Sequence, residues 1–342
     1  MKFNERSYSD KKLEKLCNSS KYVGKAVWIN HKSEIYGLGR TIREKFFYSK
    51  YLPLCLACDQ GVNFFTHIRP SEKINNLPYL TWNKKKYLRM KKKGLNVYLT
   101  EHPWIRYRKK IFKKKIKAKG TIFFYNHSTS SGTKIKFYNL ENLINKIKKL
   151  PIKCQPISVC LFHYDIRVLK IHKILRKYKI NIVTAGHGNS QNFPNNFYNL
   201  ISNFKYACGV INNNFPDLSS NFFYCIEAGI PYFLLKHKFS LIGDGSNQEY
   251  KKKFELGNLY QSEIKKFYKT FKNYYKIRDK LTNLDEKIIN EYMGRNRQAN
   301  NLWNNIKIIL VIYKSFFLNI RLIIHKYWHG VIKIHLKKNL LI

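Results

Sequence analysis

Along this chain the hydrophobic and polar positions alternate between two rhythms. Short apolar runs of strand length are separated by longer segments with apolar residues at helical spacing. In the first part, Lys25-Ala26-Val27-Trp28-Ile29 reads as a strand, followed by a turn at Gly37-Leu38-Gly39 and a helix near Thr41 to Tyr48. Leu52 to Ala57 reads as a second strand, Pro78 to Thr81 as a short extended piece, and Leu95 to Leu99 as another strand. Asn83 to Lys93 predicts a basic helix closed by Gly94. Gly120 to Tyr125 is apolar and β-rich, and the spacer from Arg106 to Lys119 before it is mostly Lys and Arg.

The second part repeats the rhythm. Helices are predicted over Leu140 to Leu150, Ile166 to Tyr178 and Phe193 to Phe204. Strands are predicted over Pro156 to Phe162, Asn181 to Thr184 and Tyr206 to Ile211. Helical crossovers between strands imply an α/β fold with a parallel, doubly wound sheet whose ligands lie at the strands' carboxyl ends. The division expected is 1–140, 141–300 and a tail over 301–342, with the first boundary falling between 136 and 152. In the tail, Ile306 to Ile324 is long and apolar, yet Lys307, Lys314 and Arg321 interrupt it at a spacing of seven. That spacing puts all of them on one narrow stripe of a helix, so the segment is amphipathic and not a clean membrane span. Tyr327, Trp328, Lys333, Lys337 and Lys338 mix aromatic and basic residues as an interfacial helix does. The alternative is a pair of C-terminal helices packing back across the first domain. Both hold if one face packs and the other meets lipid.

Composition sharpens this picture. A chain of 342 residues suits two domains of ordinary size, and 44% hydrophobic with 15% aromatic residues is too rich for disorder. Lys and Arg number 65 against 20 Asp and Glu, a formal charge of +45. Two readings compete: a bias toward Lys, Asn, Ile, Tyr and Phe, which share AT-rich codons, and attraction to anionic lipid, nucleotide phosphates or nucleic acid. The 7 cysteines sit in mostly apolar runs, and Met1-Lys2-Phe3-Asn4-Glu5 leads into no apolar signal region. A reduced, cytoplasmic protein is expected. Cys55-Leu56-Ala57-Cys58 has no second pair at zinc spacing, so two buried strand thiols are favoured over zinc or redox chemistry.

The most specific string is Pro216-Asp217-Leu218-Ser219-Ser220, continuing through Glu227-Ala228-Gly229-Ile230-Pro231 into Tyr232-Phe233. Ser219 or Ser220 caps a helix whose free N–H groups lie at its positive dipole end, where a phosphate can bind. Three further polar clusters follow predicted strands. Asn126-His127-Ser128-Thr129-Ser130-Ser131-Gly132 can hold phosphate oxygens or serve as a polar turn. His163-Tyr164-Asp165 can orient a sugar hydroxyl, with Asp165 as a helix cap the favoured alternative. In Thr184-Ala185-Gly186-His187-Gly188-Asn189 the glycines let backbone approach a ligand, and His187 can contact a diphosphate or a base. Gly37-Leu38-Gly39-Arg40 falls short of a dinucleotide fingerprint, because Ile42 occupies the third glycine's place.

The segment from about 120 to 235, and above all the paired-Ser helix, resembles the donor site of GT-B glycosyltransferases. The resemblance is to those encoded with capsule, O-antigen or lipooligosaccharide genes, sialyltransferase-like groups with a His motif and a paired-Ser motif included. It implies two Rossmann-like doubly wound domains with a C-terminal helical extension, peripheral on the inner face of the cytoplasmic membrane. It also implies metal-independent transfer from a nucleotide-activated sugar to a surface-glycan acceptor, with no cofactor besides that substrate. His127, Ser128, Thr129, His163, Gly186, His187, Gly188, Ser219, Ser220 and Glu227 would then bind the donor, Glu227 through ribose hydroxyls. The first domain would hold the acceptor and supply the base, from Asp59, His67 or His102. Asp59 reads equally as a turn residue, and Glu101 as a loop charge near Arg106 and Arg108. The Arg/Lys–Glu pair of common retaining enzymes and a D-x-D metal motif are not evident. A nucleotide-sugar epimerase of the same fold is one alternative. A nucleic-acid-binding protein is another, on the charge and on the basic residues interleaved with aromatics from Trp82 to Lys119, although no recognised module appears.

Overall fold

A computed structural model of the protein describes residues 6–18, 29–68, 72, 77–113, 115, 117–126, 134–137, 139–211, 218–242, 258–295 and 299–325. The chain opens with α1 (Asp10–Cys17), capped by the Ser9 hydroxyl, and α2 (His31–Glu34), capped by Asn30. A single 3-10 turn at Ile35–Gly37 leads into α3 (Leu38–Lys45). β1 (Ala57–Cys58), β2 (Tyr79–Thr81) and β3 (Val97–Leu99) then form a three-stranded parallel sheet in that order. Asn83 accepts from the N–H groups of Lys85 and Lys86 and starts α4 (Lys84–Lys92), the crossover from β2 to β3. His102 caps α5 (Pro103–Ile111), with Pro in its first turn, where a missing N–H is harmless.

The second lobe runs β4 (Thr121–Phe124), β5 (Lys134–Phe137), α6 (Leu140–Lys148) and β6 (Ile157–Cys160). It continues with α7 (His163–Arg167), α8 (Ile171–Lys177), β7 (Asn181–Val183), α9 (Phe193–Ile201) and β8 (Tyr206–Ile211). After these come α10 (Asn221–Glu227), β9 (Tyr232–Lys236), β10 (Phe239–Ile242), α11 (Asn258–Phe271), α12 (Asn283–Tyr292) and α13 (Leu302–Leu318). β10 and β5 form an antiparallel pair. The five-stranded sheet is parallel throughout, in the order β7-β6-β4-β8-β9. Numbered along the chain, those strands run 3-2-1-4-5, the order of doubly wound nucleotide-binding sheets, which reverses between β4 and β8. Every residue of β4, β6 and β8 is buried, as a sheet covered by helices on both faces requires.

The first and last described segments each cross to the other lobe. The N-terminal segment lies along the free edge of β7, where Tyr8 N–H donates to Ile182 O at 2.8 Å and shields an otherwise open strand. At the other end α13 packs on the first lobe, Ser315 donating to Cys55 O at 2.5 Å and Asn304 to Leu99 O at 2.7 Å. An aromatic cluster joins the lobes in between. Phe64 of the first lobe packs on Phe267 and Tyr292, and Phe222 of the second on Phe271 and Tyr274. A large apolar core runs through both lobes, with a separate small cluster of Ala57, Tyr79, Met90 and Val97 in the first.

The structure departs from the sequence expectations at several places. The expected helix over Ile166 to Tyr178 is two short helices, because Lys170 takes a left-handed φ of 52° that no α-helix continues through. The basic spacer after Arg106 is helical to Ile111: Trp104, Ile105 and Tyr107 face the core while Lys109 and Lys110 are exposed. Of the expected strand over Leu52 to Ala57, the paired part is Ala57–Cys58. The helix expected from Thr41 already starts at Leu38. β4 belongs to the five-stranded sheet, so that sheet begins ahead of the expected division at 140. Of the expected strand over Lys25 to Ile29, Lys25 to Trp28 lie outside the described residues.

Candidate functional site

The carboxyl end of β1 and the start of α10 meet along a seam between the lobes. β1 runs directly into Asp59-Gln60-Gly61-Val62. Ser220 Oγ accepts from Val62 N–H at 3.0 Å and donates to Val62 O at 3.4 Å. A Cβ on Gly61 would collide with Ser220 Oγ, so the approach requires glycine. The Ser220 hydroxyl is therefore spent on the neighbouring lobe and makes no capping hydrogen bond to α10, unlike the capping role expected of Ser219 or Ser220. Ser219 is exposed and its Oγ accepts from Asn221 N–H at 3.4 Å.

Behind this contact lies a buried relay. Trp104 N–H donates to His102 Nδ1 at 3.2 Å, which leaves the ring proton on Nε2, 3.2 Å from the Tyr224 hydroxyl. Tyr224 in turn hydrogen-bonds Ser220. The His102 ring is wholly buried and packs edge-on to Trp82 at 4.3 Å. Burial, then the nearby Lys45 charge, holds its pKa well below the ordinary 6.5. Lys45 is itself buried, donates to Glu101 O at 2.8 Å and is lowered to about 8 by burial against the opposing pull of Glu101. Glu101 thus pairs with Lys45 at 3.7 Å and not with Arg106 or Arg108.

Arg108 instead reaches across the lobes to Glu227, clasping both carboxylate oxygens, one at 3.0 Å. The Glu227 side chain is fully buried, and burial raises its carboxyl pKa although Arg108 pulls it down. The Glu227 carboxylate, expected to accept ribose hydroxyls, is held here by the Arg108 guanidinium.

Asp59 is also enclosed. Its oxygens accept from Tyr79 at 2.9 Å, from Thr81 at 2.6 Å and from Lys86. Glu72 joins the same knot, bonding Tyr79 and Lys86 at 3.0 Å each. Burial would lower the Lys86 ammonium pKa, but Asp59 and Glu72 together outweigh it and raise it. As the expected acceptor-side bases, Asp59 and His102 are buried and their polar atoms engaged. His67 is half-buried, beside Thr66, whose hydroxyl donates to Glu263 of α11 at 2.5 Å.

The second-lobe clusters come together differently. His163, just past β6, and His187, past β7, stack at 4.0 Å between ring centroids with an interplanar angle of 28°. Gly188 N–H donates to His163 Nδ1 at 3.2 Å and Asn189 N–H to His187 Nδ1 at 3.1 Å. Both neutral rings therefore carry their proton on Nε2, as hydrogen-bond donors. Burial, then Arg167, lowers the His187 pKa, so the ring is neutral at pH 7. Gly186 has a φ of 92°, and a side chain on Gly188 would press on Tyr36 and Phe162. Tyr36 of the first lobe donates its N–H to Gly188 O at 2.6 Å, and its hydroxyl hydrogen-bonds Gln60.

At the order reversal itself, Tyr125 and Asn126 end the described part after β4. His127, Ser128 and Thr129 lie outside the described residues. All the cysteines are buried and free of disulfides, Cys55 and Cys58 included. Among the described residues no group of three or more His, Cys, Asp and Glu is arranged to hold a metal ion. No protein-family model, curated protein or solved structure matches the chain.

Sequence reasoning missed Tyr36, Gln60, Arg108 and Tyr224. Tyr224 and Arg108 looked like one more core aromatic and one more surface cation. Only the positive φ of Tyr36, just before Gly37, has a sequence trace, in a Tyr-Gly pair that precedes a helix.

Proposed function

We propose that this chain is a GT-B-like glycosyltransferase that moves a sugar from a nucleotide-activated donor to a surface-glycan acceptor. The observation that carries the reading is the 3-2-1-4-5 parallel sheet with paired Nε2–H imidazoles past the carboxyl ends of β6 and β7. Two neutral donors side by side suit phosphate oxygens, which accept several hydrogen bonds and repel carboxylates. His187 and His163, with the close backbone of Gly186 and Gly188 and the exposed Ser219, form the donor side in this reading. These donors would stabilise the charge developing on the leaving phosphate by hydrogen bonding. Ser220, Tyr224, His102 and the Arg108–Glu227 pair brace the seam and hold the two sheets in register.

Thermal-shift titration with UDP, GDP, CMP and their sugars tests the reading. One nucleotide class should stabilise the protein, and His187→Ala should weaken that nucleotide by about tenfold or more, the usual effect of losing a charge-assisted donor. No shift with any nucleotide would overturn it. Turnover of the donor without any acceptor would redirect it to an epimerase.

A further inference from the structure

α13 has two unlike faces. Ile308, Ile312 and Ser315 are buried against the first lobe, and Tyr313 packs edge-on to Tyr48 at 5.0 Å. On the opposite face Trp303, Leu310, Phe317 and Ile324 are 78%, 65%, 65% and 51% exposed. They recur every seven residues, Trp303, Leu310 and Phe317 on α13 itself and Ile324 on a further helical stretch over 320–325 that follows a turn at Asn319. Lys307 and Lys314 lie four residues on from Trp303 and Leu310, which at 3.6 residues per turn places them about 40° around the helix, and Arg321 follows at the same interval just past the turn at Asn319. All three are exposed. An apolar row thus runs beside a cationic row on one outward face.

Charge selects the occupant. From Asn301 to His325 there is no Asp or Glu. Two copies of this face would bring cation rows together with no acid to answer them, whereas heptad pairing between helices is set by opposite charges. A bilayer interface offers what the face needs, acyl boundary for the apolar row and anionic headgroups for the row beside it. Among the described residues no helix is long and apolar enough to cross a membrane, so the contact is one of lying on the surface. We propose that the outer face of α13 docks on an anionic lipid bilayer, laying the three-stranded lobe against the membrane. The proposal goes beyond the glycosyl-transfer reading and does not rest on it.

Vesicle flotation of the full chain tests it, with phosphatidylcholine alone and with about 30% phosphatidylglycerol added, a strongly anionic surface. The wild type should float with the anionic vesicles, and Trp303 emission should shift to the blue, a shift absent in Trp303→Phe. Trp303→Ser/Leu310→Ser/Phe317→Ser should lower vesicle affinity about tenfold or more at every salt concentration. Lys307→Gln/Lys314→Gln/Arg321→Gln should lower it mainly at low salt. All six side chains are exposed, and unchanged melting temperatures verify that the variants fold. Vesicle binding unaltered by the apolar triple would reduce the contact to general attraction by the +45 charge and overturn the proposal. So would a wild-type dimer that the apolar triple dissolves while vesicle binding stays the same. Failure of nucleotide binding would leave these readouts untouched.

Discussion

Two polar clusters at strand ends, one in each lobe, show why position alone does not make a site. Asp59 follows β1 in the first lobe, and His163 and His187 follow β6 and β7 in the second. Asp59 is sealed in a knot with Glu72, Tyr79, Thr81 and Lys86, its oxygens taken by neighbours. The imidazole pair is half-buried, and backbone N–H groups fix its tautomers so that both rings donate through Nε2. Desolvation and hydrogen-bond saturation turn the first cluster into architecture. Partial exposure and stacked rings set the second apart from the first.

Breaking the knot should have the largest effect. Lys86→Met removes the ammonium between two buried carboxylates and should cost about 3–5 kcal/mol in urea denaturation. Adding Asp59→Asn and Glu72→Gln should recover much of that loss. A loss below about 1 kcal/mol would place the knot among ordinary surface pairs. Next comes the interlobe clasp. Arg108→Met strands the buried Glu227 carboxylate and should cost about 3 kcal/mol, less Glu227→Gln relief in the double variant, read from a double-mutant cycle.

The third effect is on pH dependence. His102 folds in the neutral form, with a pKa well below 6.5. Its contribution is complete above 6.5, where unfolded His is also neutral. Stability then falls as pH drops below that value, by at most about 1.4 kcal/mol per pH unit. His102→Gln should flatten the slope of denaturation free energy between pH 6.5 and 5 by up to that amount and leave it unchanged between pH 7.5 and 6.5. An unchanged slope would mean that the ring titrates normally. The smallest stability effect is expected at the imidazole pair. His187→Ala should change the denaturation midpoint by less than about 1 kcal/mol while weakening nucleotide binding, the reverse of Lys86→Met. Equal stability losses at the two clusters would dissolve the contrast between them.

Much of the second lobe was legible before the structure. Tyr206–Ile211 is a strand end to end as expected, because a continuous apolar run buried on both faces has few other solutions. Asn83 and Gly94 marked the limits of α4 through local capping chemistry. The break at Lys170 was not legible, because nothing in its residue type marks the left-handed φ it adopts. At the site, the sequence pointed to Glu227 and Ser220 but not to their partners. Arg108 lies 119 residues from Glu227, and Val62 lies 158 from Ser220, so no local pattern connects them.

Sequence alone determined the strand-and-helix alternation and the polar residues waiting at strand ends. It also set the seven-residue rows of α13, since periodicity and turn chemistry act over a few residues. Tertiary structure decided which polar groups were consumed and which stayed available. It put a guanidinium on Glu227, a backbone amide on Ser220 and an ammonium on Asp59. It left one face of α13 uncovered. The reason is that hydrogen-bond satisfaction and desolvation depend on what the fold brings within about 3 Å, and separation along the chain carries no record of that.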